Sequence, residues 1–369
     1  MQKVPLMYEQ HLPDGVAART VADVNGLTMH VLEAGDSAAP LLILLHGFPE
    51  LSFSWRKVII PLAQAGWRVV APDQRGYGGT TGWTPGYDVD LGEYSFATLT
   101  EDVAALVGAL GCDRAALVGH DFGSPVAAWA ALTRPDLFTS VALMSAPFAG
   151  PPGAGPAPPA SLHDDLAALT PPRRHYQWRY GDREAEADFL DHPAGFDAVF
   201  RAYYHCKSAD WALNAPHKLD GWTAEALAVM PRYYVMDLGV GMGDQAMGMA
   251  PPADHICDWL TDEELRVYTG AFRATGMQAS LNWYRNSTSQ AHRDWAAQFA
   301  GRTIDIPACF IAGAQDWGVW QAPGALETME GKACSDYRGT TLIDGAGHWV
   351  QQERPDAVVA ALAKFHGAL

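Results

Sequence analysis

The segment Ala115-Ala-Leu-Val-Gly-His-Asp-Phe-Gly123 constrains this chain more than any other. Ala115–Val118 is a short run apolar on both faces, and Ser124–Leu132 has the composition of a helix. Between them Gly119 and Gly123 bracket His120, Asp121 and Phe122. A passage from strand to helix in so few residues strains the turn and packs two backbones closely, which explains a glycine at each end. The residue at the apex, Asp121, is then pushed out above the sheet, as a nucleophile is in strand–elbow–helix proteins. In isolation an Asp here also suits a plain helix cap, so the remaining segments decide between the two.

Those segments read as an α/β chain. Residues 18–34 alternate about Asn25-Gly26, the signal of a tight antiparallel hairpin. Short apolar runs follow at Leu41–Leu45, Val69–Pro72, Ala115–Gly119 and Val141–Met144, separated by helix-like stretches. One of these, 97–110, carries Leu99, Val103, Leu106 and Leu110 on a single face. Runs without polar alternation belong in a parallel sheet covered on both sides. Two more units come late, Ala308–Gly313 and Thr340–Ile343, the second followed by a helix at about 354–367.

The alternation breaks at a Pro/Gly-rich connector, Pro147–Pro159, and strand-like runs stop until about 306. Residues 160–300 read as mostly helical and aromatic. Thr261-Asp-Glu-Glu264 is a capping box, and Gly276 ends the helix it starts. Met230–Pro252 holds five Met and four Gly with little periodicity. The expected organisation is a core in two parts, 1–147 and 301–369, with a helical insert, 148–300, capping the carboxyl edge of the sheet. Open α/β sheets bind ligands at that edge.

Composition removes several classes of function. The chain has 369 residues, 49% hydrophobic, enough for a large core. Its net charge of −17 repels nucleic acid and anionic membranes but not a neutral small molecule. Cys112, Cys206, Cys257, Cys309 and Cys334 are scattered without CxxC pairing, which argues against a disulfide framework and against a zinc site. No apolar run reaches the ~18 residues of a membrane span. No basic stretch followed by an apolar run opens the chain, so a cytoplasmic location is the default expectation. Assembly into a homo-oligomer is left open.

Three further segments carry chemistry. His46-Gly-Phe-Pro-Glu50 directly follows Leu41–Leu45. In this arrangement that loop and the residue after the nucleophile donate backbone N–H groups to an oxyanion hole, here Phe48 and Phe122. Asp316 lies just past the strand-like run ending at Gly313, and His348 lies in the Gly-rich loop after the last strand. Nucleophile, acid, histidine is the chain order of such a triad. A lone loop histidine is usually structural; the order Asp121, Asp316, His348 and its strand context reverse that reading. Asp344 reads as a turn residue.

His46-Gly-Phe-Pro-Glu50, Asp73-Gln-Arg-Gly-Tyr-Gly78, Gly119-His-Asp-Phe-Gly123, Gly313-Ala-Gln-Asp316 and Gly345-Ala-Gly-His-Trp349 together resemble the epoxide hydrolase branch of the α/β-hydrolase fold. Leu281-Asn-Trp-Tyr-Arg-Asn286 resembles that family's second-tyrosine motif, and His175-Tyr-Gln177 the first. The likeness runs from about residue 16 to the end and is weakest over about 205–255. One departure is Phe122, where this branch often has Trp; its backbone N–H survives the change. The resemblance implies Tyr176 and Tyr284 as proton donors to an epoxide oxygen, with Tyr180, Tyr203, Tyr204, Tyr233 and Tyr234 competing for the first role. Trp55, Trp178 and Trp283 are candidate substrate-binding aromatics, although cap tryptophans also serve as packing.

The residue types fit that reaction. An epoxide carbon is saturated, so a serine would leave an ether that water does not readily release. An aspartate leaves an ester, which His348, oriented by Asp316, hydrolyses with an activated water to give a vicinal diol. No metal or organic cofactor is required; the substrate is a small apolar epoxide and the co-substrate water. The nearest alternative is a haloalkane dehalogenase with the same Asp nucleophile. A departing halide needs N–H donors in the pocket, whereas positions 48 and 122 are both Phe. A fluoroacetate-type dehalogenase would want an arginine beside the nucleophile, and Ser124 lies past the turn for serine chemistry. A non-catalytic ligand-binding member of the fold would lack a triad residue, and none is missing.

Overall fold

The computed structural model describes residues 9–367, so the outer ends of the two expected core segments, 1–8 and 368–369, lie outside the described residues. The hairpin forms where Asn25-Gly26 allows it. β1 (Ala17–Val24) pairs antiparallel with β2 (Leu27–Ala34), and Asn25 and Gly26 both take positive φ, at 48° and 81°. The apolar runs become β3 (Leu41–Leu45), β4 (Arg68–Pro72), β5 (Ala115–His120) and β6 (Phe138–Met144). Every residue of β3, β4 and β5 is buried, as interior parallel strands covered on both faces require.

After β6 the chain leaves the main sheet. The connector Pro147–Pro159 carries neither helix nor strand. Beyond it come the helices Phe196–Lys207, Asp262–Thr275 and Gln278–Ser287, among shorter ones. Thr261 and Glu264 cap the second of these reciprocally, and Gly276 ends it at φ 74°. The insert is not strand-free: β7 (Arg173–His175) pairs antiparallel with β8 (Val235–Asp237). These three-residue strands are too short and too polar to show alternation, and an ion pair between Arg173 and Asp237 at 3.0 Å joins them. The stretch Met230–Pro252 supplies β8 and a short helix, Met242–Met247, with Met230, Met236 and Met242 in the core.

The chain returns to the sheet with β9 (Ala308–Gly313) and β10 (Tyr337–Ile343), and the helix Pro355–Gly367 follows. The sheet order is β1-β2-β4-β3-β5-β6-β9-β10, with β2 alone antiparallel to its neighbours. This is the α/β-hydrolase fold. The chain passes from β3 outward to β4 and then back across to β5, so the sheet switches direction between β3 and β5. Such a switch point opens a crevice at the carboxyl ends of the two strands. Leu45 of β3 lies opposite Gly119 of β5, so the loops beginning at His46 and at His120 leave the sheet side by side.

Candidate active site

Asp121 sits at that crevice with φ 51°, a left-handed conformation forced by the turn between β5 and the helix Gly123–Thr133. Its N–H donates to the Met144 carbonyl at 3.2 Å, fixing the turn to β6. The flanking glycine is indispensable: a Cβ on Gly123 would come within 2.3 Å of the Leu45 carbonyl oxygen. On the neighbouring loop, the Phe48 N–H donates to Asp121 Oδ1 at 2.8 Å. The other carboxylate oxygen, Oδ2, lies 3.1 Å from His348 Nε2. On the far side of that imidazole, Nδ1 is 3.1 and 3.2 Å from the two Asp316 oxygens. Asp316 follows β9 and is itself held by the Gly318 N–H at 2.7 Å. The three segments that carry these residues are far apart in the chain, and parallel strands deliver all of them to one edge.

These groups are buried and mutually charged. Burial opposes ionisation of Asp121, but the hydrogen bond and charge of His348, and then the charge of Lys207, hold its carboxyl well below the usual range. Asp316 is lowered in the same way, with burial opposed by His348 and the Gly318 N–H. Burial and Lys207 push His348 down; Asp316 and Asp121 outweigh them and raise it to about 8.

Aromatic rings roof the carboxylate. Tyr284, on the helix Gln278–Ser287, packs edge-on against Phe48 at 5.4 Å and Phe122 at 4.9 Å. Tyr176, immediately after β7, packs against Tyr284 at 6.0 Å. Its hydroxyl donates to Gln321 Oε1 at 3.2 Å. Burial, then the charge of Asp121, raises both phenols far above the normal tyrosine range, so both keep their protons. Of the competing tyrosines, Tyr180 alone also touches both Phe48 and Tyr284, but its hydroxyl donates to Tyr203. Tyr204 donates to the Pro49 carbonyl and Tyr233 to Asn214. Tyr234 packs on Tyr176 at 5.2 Å with no hydrogen bond to its hydroxyl. Phe122 heads the helix after Asp121, its ring stacked on Phe96.

The tryptophans divide differently from expectation. Trp283 touches Phe122 at 5.2 Å, but its indole N–H is tied to the Arg75 carbonyl at 3.1 Å. Trp55 is fully buried and meets His120 edge-on at 6.5 Å. Trp178 packs on His163 at 3.9 Å with the rings tilted by 52°, and meets His175 edge-on. Among the described residues, no ring pairing joins Trp55 or Trp178 to Phe48, Phe122, Tyr176 or Tyr284; Trp55 lies against His120 at the end of β5, and Trp178 against His163 and His175.

Sequence reasoning missed that support. Glu50, fully buried, accepts from His120 Nδ1 at 2.7 Å and from Gln351 and Gln352 at 3.0 Å each. His120 Nε2 in turn meets the His348 carbonyl at 2.7 Å. Asp73 accepts from the Ser52 and Gly79 N–H groups at 2.9 Å, which anchors the end of the Phe48 loop. Lys207, 3% exposed, holds its ammonium between 5.2 and 5.4 Å from the Tyr203, Tyr234 and Trp349 ring centres. Partners of this kind come from remote segments: Glu50, Asp73 and His120 stand in visible motifs, but nothing local shows that they meet Gln351, Gln352, Ser52 or the His348 carbonyl.

A carboxylate at the end of a strand, hydrogen-bonded to an imidazole that is itself paired with a second carboxylate, sits at the carboxyl edge of an α/β-hydrolase sheet. The family model for the alpha/beta hydrolase fold matches residues 40–191. Epoxide hydrolase A of Mycobacterium tuberculosis is 35% identical, over 95% of this chain and 98% of that protein. Epoxide hydrolase B of the same organism is 33% identical over the same shares. Among solved structures, an epoxide hydrolase from an endophytic Streptomyces superimposes with a TM-score of 0.78 at 31% identity, covering 96% of each chain. Epoxide Hydrolase A from Mycobacterium thermoresistibile gives 0.73 at 34% identity, covering 95% of this chain and 98% of that one. The chain belongs to the epoxide hydrolase family. Among the described residues, no helix is long and apolar enough to cross a membrane.

Proposed function

We propose that this protein hydrolyses a small apolar epoxide to a vicinal diol through an ester on Asp121. One observation supports this reading above the others: the Asp121 carboxylate is divided between the Phe48 N–H and His348, and its charge acts on the buried phenols of Tyr284 and Tyr176, which pack on one another. Asp121 is ionised, so it attacks one carbon of the ring and forms the C–O ester bond. The ring C–O bond breaks, and its electron pair goes to the oxygen. Tyr284 and Tyr176, both protonated, donate hydrogen bonds to that oxygen as charge develops; an unassisted alkoxide is a poor leaving group. His348 then takes a proton from water, with Asp316 stabilising the imidazolium. Hydroxide adds to the Asp121 carbonyl, and the N–H groups of Phe48 and Phe122 hold the oxyanion. One such donor is typically worth about 3 kcal/mol. On collapse the bond between the ester's acyl carbon and the substrate oxygen breaks, and that oxygen takes the proton held by His348. The proton of the new Asp121 carboxyl group replaces the one given to the ring-opened oxygen by the tyrosines. The diol thus leaves with both hydroxyls protonated, and the carboxylate, the imidazole and the phenols are restored.

The test is a single turnover in heavy-oxygen water with styrene oxide. Water attacks the ester carbonyl, so the label enters the Asp121 side chain, and peptide mass spectrometry reads it. A diol labelled directly from solvent, with Asp121 unlabelled, would falsify the ester route. Halide assays on chloro- and bromoalkanes separate the dehalogenase alternative; no halide is expected, because Phe48 and Phe122 offer no side-chain N–H at the carboxylate.

A further inference from the structure

A second cluster of ligating side chains lies outside the nucleophile's surroundings. His205 is in the last turn of the helix Phe196–Lys207, Asp210 lies just beyond that helix, and His255 lies in the loop before the helix Asp262–Thr275. One ligand atom from each, all three within 4.8 Å of one another, converges on a common point. His255 Nε2 is 3.5 Å from Asp210 Oδ2. The two imidazole rings meet at 4.9 Å and 65°. Trp259 Nε1 donates to the same Asp210 oxygen at 2.8 Å, orienting the carboxylate.

A ring contact and an ion pair account for part of this arrangement but leave one atom unexplained. His205 is 6% exposed, and its Nδ1 is buried without a hydrogen-bond partner. A buried unpaired ring nitrogen is costly unless something binds it.

We propose that His205, Asp210 and His255 form a binding site for one divalent transition-metal ion of the zinc class. Two imidazole nitrogens and one carboxylate oxygen suit zinc, with water in the fourth position. Neighbouring ligands around a tetrahedral zinc stand roughly 3.4 Å apart; the His255–Asp210 pair is already at 3.5 Å, and His205 needs only a small closure of the loop. Asp210 is exposed and lines a surface cleft of about 310 Å³ with Lys57, Asp258, Trp259, Gln352 and Arg354, so solvent reaches its carboxylate.

The bound ion braces a segment that also serves the nucleophile site. Between His205 and Asp210, the Lys207 carbonyl accepts from the His348 N–H at 2.8 Å. The Ala209 N–H donates to Glu353 Oε2 at 2.8 Å, and the Gly347 N–H donates to the same oxygen at 2.9 Å. An ion that binds the folded chain in preference to the unfolded one raises its melting temperature.

Calorimetric titration of metal-free protein with zinc chloride tests this, with cobalt(II) absorption reporting the coordination number. One ion per chain, four-coordinate cobalt spectra and a higher Tm are expected. His255→Ala, and the volume-keeping His255→Gln, should each weaken binding at least about tenfold, since even outer partners of a ligand cost that much. Turnover of the metal-free variants should equal that of the metal-free wild type. Variants that bind zinc as tightly as the wild type would place the ion elsewhere and overturn the proposal. So would a wild type that takes up no zinc into the millimolar range. Neither result bears on the ester route, which is read by oxygen labelling.

Discussion

The backbone N–H of Phe48 donates to Asp121 Oδ1 at 2.8 Å, from the loop after β3, whose last residue, Leu45, lies opposite Gly119 of β5, two residues before Asp121. Sheet register thus brings the donor to the carboxylate. Between the two loops there is no spare room: a Cβ on Gly47 would fall 2.3 Å from Asp121 Cβ and 2.4 Å from Oδ1. Gly47→Ala therefore pushes the carboxylate off its donor. A displacement of about 1 Å at a reacting group costs on the order of 100-fold. Steady-state kcat/KM on styrene oxide should fall by that order while the circular dichroism spectrum is retained.

The two tyrosines should be separable by pre-steady-state kinetics. Tyr284 packs against both Phe48 and Phe122, whereas Tyr176 reaches the group through Tyr284 and also holds Gln321. Tyr284→Phe is expected to slow alkylation of Asp121 by roughly 100-fold, the lower range for loss of a positioned acid, and Tyr176→Phe by less. Rapid-quench trapping of the ester measures both. Equal, unchanged alkylation rates in the two variants would remove the tyrosines from the mechanism.

His348→Gln should strand the reaction halfway. The ring still opens on Asp121, but no base activates water for the second step. Intact-mass spectrometry should then find the protein heavier by one epoxide, with kcat lowered by about 100- to 10,000-fold. A variant that turns over without accumulating adduct contradicts the assigned role.

The imidazole also carries a pH signature. Burial and Lys207 lower the His348 pKa, and Asp316 and Asp121 together raise it to about 8. Esterified Asp121 has no charge, so one of the groups holding the proton disappears at the moment the base is needed. The pKa governing ester hydrolysis should lie below that of the free protein, and kcat should fall as pH drops through it. Asp121→Asn imitates the loss of charge; an NMR titration of His348 should move down in this variant, and an unmoved titration refutes the coupling. The stability effect has the opposite sense. His348 is raised from 6.5 to about 8 and Glu353 from 4.5 to about 7, so what they contribute to stability is lost as pH rises through those values. Tm should decline between pH 6.5 and 8.

Glu50 is predicted to matter for folding before chemistry. Its carboxylate joins His120, Gln351 and Gln352 with no solvent exposure. Glu50→Ala leaves three buried polar groups short of a partner, and losses of about 3 kcal/mol are typical of such sites. Urea denaturation should show a lower midpoint without a changed slope.

Much of this protein is legible along the chain. Unbroken apolar runs set β3, β4, β5, β6 and β9, because a strand buried on both faces admits no polar alternation; the edge strands β1 and β10 are largely exposed. Asn25-Gly26 sets the hairpin, and the Thr261–Glu264 capping box sets a helix start. Local steric needs wrote Gly119 and Gly123 around Asp121, and chain order marked Asp316 and His348. Interactions across the insert were not legible. The pairing of Arg173–His175 with Val235–Asp237 is too short to leave a period, and nothing in sequence separates Trp283 beside Phe122 from Trp55 and Trp178 in the packing.

The sequence by itself determined which residues stand at strand ends, since backbone conformation and burial act over a few neighbouring positions. Only the tertiary structure decided what those residues face: the Phe48 N–H on Asp121, Tyr176 on Gln321, His205 beside His255. Such contacts join segments whose separation in the chain carries no signal, because they form only when the sheet and its insert close over the same edge.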